Sequence, residues 1–173
     1  MEQKSTFSFA TQFGLLTGLV LIVFTLILFL VGVGDKSPVH FISLVIYIGM
    51  IYWGITNIRE RQLEGVMSYG KAFGTGFWIS LFAAILVGIF TFFYLKYIDT
   101  GALTRAMTAA EDKILAANPN ISDADLDKAL SMAKTFSTPI FSAIGQFIGD
   151  LIIGTVFSLI IAIFAKREDK TIA

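Results

Sequence analysis

The chain has 173 residues, of which 55% are hydrophobic and only 15% charged, with zero formal net charge, no cysteine and one histidine. A soluble domain is about 45–50% apolar and roughly 25% charged, so this composition, with a mean hydropathy of +0.77, is that of a multi-pass membrane protein of single-domain length. Balanced charge excludes a polybasic nucleic-acid surface. The missing cysteines exclude disulfides, thiolate metal sites and a cysteine nucleophile, and His40 alone cannot build a multi-histidine metal centre.

A spanning helix needs about 20 mostly apolar residues, and four segments supply them. The first is expected over residues 9–33. Its apolar stretch is longer than the 7–15 residues of a signal-peptide core and no A-x-A-like site follows, so it reads as an uncleaved anchor. Residues 34–40 (GDKSPVH) form a tight turn with Gly34 and Pro38 as breakers. The second span, 41–58, is shorter, and Tyr47, Tyr52 and Trp53 fit an interfacial aromatic belt. A polar link over 59–72 leads to the third span, 73–95.

Residues 96–138 are the one sizeable extramembrane insertion. Leu103, Met107, Ala110 and Ile114 make an apolar stripe that ends at Asn118-Pro119-Asn120. Ser122 followed by Asp125 resembles a capping box. Leu126, Leu130, Ala133 and Phe136, or Ser137 beside it, then recur at helical spacing. Two short helices folding back on each other are expected. Thr138-Pro139 supplies an N-cap and first helical position for the fourth span, 139–165. The fold expected is therefore all-α: a single membrane domain, a bundle of four transmembrane helices with an external two-helix hairpin between spans three and four.

Four spans put both termini and the 59–72 link on one side. That side carries Lys4, Arg59, Arg61, Lys71, Lys166, Arg167 and Lys170, whereas the opposite turn carries only Lys36, and the five basic residues of the insertion (Lys96, Arg105, Lys113, Lys128 and Lys134) are spread out and outnumbered by six acids. The positive-inside rule then makes the termini cytoplasmic and the insertion external, or periplasmic in a bacterium with two membranes.

Lipid tails are as apolar as leucine, so membrane helices cohere through close backbone approach and interhelical hydrogen bonds. Small residues should mark those faces. Ala72, Gly76, Ser80, Ala84 and Gly88 recur every four residues in the third span, and Ser142, Gln146, Asp150, Gly154, Ser158 and Ala162 in the fourth. Gly14 and Gly18 form a shorter pair in the first. Residues four apart share a helix face, so the two long stripes are expected to face inward and to meet. Asp150 lies on the second stripe, where a central acid costs about 2.5–3.5 kcal/mol and belongs in a bundle interior or a wet cavity. It is expected to be neutral or partly protonated and to share a hydrogen bond with Gln146, or with a hydroxyl such as Ser80 or Thr91. A helix-joining role fits a lone carboxylate better than a proton or cation relay, which wants a second acid, a histidine or a basic partner.

Other candidates are weaker. Asp123, Asp125 and Asp127 sit where a helix N-terminus favours acids and lack the glycine and terminal glutamate of a calcium loop. SYGKAFGTG lacks the order and preceding strand of a phosphate-binding loop. Neither a Ser/His/Asp set nor paired intramembrane carboxylates points to an enzyme, and nothing implies a cofactor or metal.

The segment MSYGKAFGTGF that opens the third span, the capped NISDADLDKAL helix, the STP that follows and the basic end of the last span together carry a resemblance. Over roughly residues 7–168 the chain resembles the four-span membrane family known as domain of unknown function 4199, found mainly in Bacteroidetes-type bacteria. The resemblance implies a bacterial multi-pass protein with a helical insertion between spans three and four, and it supplies no activity and no catalytic residues. The function expected is non-enzymatic: an inner-membrane structural or accessory subunit, embedded in the lipid bilayer and acting through helix packing and its external hairpin on a further copy of itself or another membrane protein, with no nucleic-acid partner. A small transporter or channel component using Asp150 is the alternative.

Overall fold

The structure is a computed structural model that describes residues 6–33 and 37–167. It is all-α, and the four expected spans appear as four long apolar helices. These are α1 (Thr6–Val31), α2 (Phe41–Gln62), α3 (Tyr69–Phe93) and the last, α6 (Pro139–Ala165). Between α3 and α6 lie α4 (Ala102–Ala117) and α5 (Asp123–Phe136). The chain divides into two compact units, Met1–Val87 with Phe147–Ala173, and Gly88–Gln146.

In the first unit the sequence sets each helix end. α1 stops at Gly32, whose φ of +73° suits a residue without a Cβ. Val33 N–H then bonds Leu28 O and Gly32 N–H bonds Phe29 O, which satisfies the last carbonyls. Gly32 therefore ends α1; the expected breaker Gly34, with Lys36, Lys4 and Lys170, lies outside the described residues. Ser37 caps a short 3-10 turn, Pro38–His40, that leads into α2. α2 ends through Glu64 and Gly65, both at positive φ, with Gly65 N–H on Arg59 O at 3.0 Å. α3 starts four residues earlier than expected because Ser68 accepts from Lys71 N–H through its hydroxyl and from Ala72 N–H through its carbonyl.

The core of this unit runs along α2. Ile51, Ile55 and Ile58 are fully buried, with Ile79 of α3 and Ile161 of α6 against the same cluster. Glycine lets the backbones approach. A methyl group on Gly14 would lie 2.7 Å from both Ile79 O and Phe82 Cβ, and one on Gly54 would lie 2.6 Å from Ile79 Cδ1. The outer surface is apolar, with Leu30, Val45 and Phe164 at least two-thirds exposed, as side chains solvated by lipid should be.

The second unit holds the end of α3, a π-helical turn at Tyr94–Ile98, α4, α5 and the start of α6. α4 and α5 pack on each other across the Asn118-Pro119-Asn120 turn. Their inner stripes, Leu103, Met107 and Ile114 with Leu126, Leu130 and Ala133, are partly buried. Ser137 rather than Phe136 closes the stripe: its Oγ lies 3.2 Å from Met107 Sδ, while Phe136 is exposed and stacks edge-on to Phe141. Ser122 caps α5 as expected, accepting from Asp125 N–H at 3.2 Å and donating to Asp125 Oδ2 at 2.7 Å.

Candidate functional site: the seam between α3 and α6

On α3 the stripe Ala72, Gly76, Ser80, Ala84 and Gly88 is buried at every position. On α6 the stripe divides. Gly154, Ser158 and Ala162 are buried, Ser142 and Asp150 are partly exposed, and Gln146 is exposed.

The buried halves interlock reciprocally. Ser158 packs onto Gly76, where an added methyl would lie 2.5 Å from Ser158 Oγ and 2.9 Å from Ile55 Cδ1. One turn away Ser80 packs onto Gly154, where a methyl would overlap both Ser80 and the Tyr47 hydroxyl. These two contacts fix an antiparallel register that brings Ala72 opposite Ala162, both fully buried, and Ala84 opposite Asp150. Each serine therefore fills the space that the facing glycine leaves, which is how two helices approach closely without a hydrophobic drive between them.

The polar groups of the seam satisfy mainly backbone. Ser80 Oγ donates to Gly76 O on its own helix at 2.8 Å. Tyr47 Oη, from α2, donates to the backbone carbonyl of Asp150 at 3.0 Å. Tyr47 is 3% exposed; it is an interior residue and not part of an aromatic belt, whereas Tyr52 and Trp53 do face outward. The bond from α2 thus reaches Asp150 at its main chain. Ser158 Oγ is the exception: it is fully buried and has no hydrogen-bond partner among the described residues.

Two further polar constructions escape sequence reading. The guanidinium of Arg59, 8% exposed, donates through Nη1 to Ala165 O at 2.7 Å and through Nη2 to Glu60 Oε1 at 2.7 Å. A cation there complements the free carbonyls at the C-terminus of α6. Met67 and Arg167 exchange two backbone bonds of 2.9 Å just beyond, so the α2–α3 link clasps the end of the last span.

The other lies in the second unit. Arg105 makes a two-pronged ion pair to Asp99, Nη2 to Oδ2 at 2.7 Å and Nη1 to Oδ1 at 3.1 Å. The Arg105 guanidinium holds the Asp99 carboxyl below the usual carboxylate range; burial opposes the shift, and the Tyr94 hydroxyl and Ala102 N–H add to it. The bridge closes the π turn against the first turn of α4.

Among the described residues no group of three or more His, Cys, Asp or Glu side chains is placed to hold a metal ion. The interior gathers small hydroxyls, glycines and one tyrosine, an arrangement suited to packing.

No curated protein and no solved structure gives a match. The family model described as "Protein of unknown function (DUF4199)" matches residues 12–167. That span takes in most of α1, the other three apolar helices, the α4–α5 insertion and the α3–α6 seam, and the chain belongs to this family of multi-span membrane proteins.

Proposed function

We propose that the protein is a non-enzymatic structural or accessory subunit of the bacterial inner membrane, with both termini cytoplasmic and the α4–α5 hairpin periplasmic. The observation that carries this reading is the closed seam. At Gly76 and Gly154 there is no room for one methyl group, so the buried half of the α3–α6 contact is solid protein and not a conduit. The orientation draws support from the basic residues. Arg59, Arg61, Lys71, Lys166 and Arg167 belong to the end of the first unit where α2 stops, α3 starts and α6 stops.

The outer half of α6 is where a partner would sit. Gly145 and Gly149 have nothing within 4 Å of an added methyl, and Gln146 between them is exposed. A bare backbone face at two glycines suits the close approach of a second helix, from another copy or another membrane protein.

Purified protein in liposomes tests the reading. No proton or cation flux above empty liposomes is expected, and in-membrane crosslinking from position 146 should give a defined adduct. A flux abolished by Asp150→Asn would replace this proposal with the transporter alternative.

A further inference from the structure

We propose that the groove between the first turns of α1 and α3 is a binding site for an anionic phospholipid, with Lys71 holding the headgroup. The groove encloses about 210 Å³ and is lined by Thr6, Phe7 and Ala10 of α1 and by Lys71, Thr75 and Trp78 of α3. Water takes about 30 Å³ per molecule in the liquid, so this is space for about seven waters. It accommodates a phosphate-sized headgroup or the upper part of one chain.

The lining is divided by chemistry. The groove's polar lining is Lys71, Thr6 and Thr75; the Thr75 hydroxyl is already engaged with Lys71 O at 2.8 Å. Its aromatic lining is Phe7 and Trp78, whose rings meet edge-on at 5.0 Å, with Phe82 stacked against Trp78 at 6.2 Å. Phe7 and Trp78 remain 48% and 38% exposed, so the groove opens sideways, where lipid is the solvent. Among the described residues no carboxylate pairs with Lys71 and none lines the groove. A lysine at the end of a span ordinarily extends its charge to water; here it lines a cleft that also carries two threonines and an aromatic pair. A cation and an exposed aromatic pair lining one groove match a ligand that is anionic at one end and hydrocarbon at the other. That is a glycerophospholipid with a net negative headgroup, for which a basic residue near a membrane surface gives roughly a fivefold preference.

The experiment reads Trp78 fluorescence in a Trp53→Phe background, which leaves Trp78 as the one tryptophan. The full chain is reconstituted in vesicles containing brominated phosphatidylglycerol or brominated phosphatidylcholine with the same acyl chains. About fivefold tighter quenching by phosphatidylglycerol is expected, reduced to near onefold by Lys71→Gln and kept by Lys71→Arg. Equal quenching by both lipids, a preference that survives Lys71→Gln, or displacement of phosphatidylglycerol by inorganic phosphate overturns the proposal. Should Trp53→Phe fail to fold, the Tm of the otherwise unaltered chain in detergent is read instead. Phosphatidylglycerol should raise it more than phosphatidylcholine does, and Lys71→Gln should erase the difference; an equal rise in both overturns the proposal.

Discussion

Ser158 sits against Gly76 with no space between them for a methyl group. The same relationship, with serine and glycine exchanged between the helices, recurs one turn along at Ser80 and Gly154. Close approach is therefore built twice, and each half depends on the other.

Alanine at Gly76 or Gly154 forces the helices apart. Overpacking of this kind costs about 1–3 kcal/mol, so Gly76→Ala or Gly154→Ala should lower Tm in detergent by roughly 2–12 °C. Gly49, with nothing within 4 Å of an added methyl, is the control, and Gly49→Ala should leave Tm unchanged or slightly raised. Equal effects at Gly49 and Gly154 would refute the close-approach account.

Ser158→Ala should behave in the opposite way. Its hydroxyl is buried without a partner among the described residues, and such a group carries a desolvation cost of about 1–3 kcal/mol. Removing the oxygen while keeping the Cβ that packs on Gly76 should leave Tm the same or raise it. A clear fall would mean that the hydroxyl has a partner in the membrane.

The Asp99–Arg105 bridge gives a pH dependence of definite sign. The folded carboxyl titrates lower than the unfolded one, so its contribution is complete above the ordinary value of about 3.9 and is lost as pH falls through the lowered folded value. Wild-type protein should lose more stability between about pH 4 and pH 2 than Arg105→Gln. Arg105 is half-exposed, so at neutral pH the same substitution should cost only about 0.5–1 kcal/mol. Parallel pH profiles for the two proteins would rule out the linkage.

The four spans, the α4–α5 hairpin and the face of α3 were legible because each rests on a period: continuous apolarity over a bilayer's thickness, or a small residue every fourth position. Depth was not legible. Tyr47 and Tyr52 are both aromatics of one short span, and only packing separates the one bonded to Asp150 O from the one facing outward. Arg59 counts in the sequence as one more basic residue near a membrane edge. Its bond to Ala165 joins segments 106 residues apart, which no local pattern encodes. The Asp99–Arg105 bridge depends on the π turn at Tyr94–Ile98, a backbone detour without a compositional signature.

The Arg59–Ala165 bond also sets a timetable. At about 5–20 residues per second, the carbonyl that Arg59 holds leaves the ribosome about 5–20 s after the arginine does. As that interval closes the nascent protein has three spans and the α4–α5 hairpin, a guanidinium without its carbonyl and a Gly76 with no serine opposite it. The final helix is thus the keystone, and a chain interrupted before it displays unfilled notches that a membrane protease or insertase could read as unfinished.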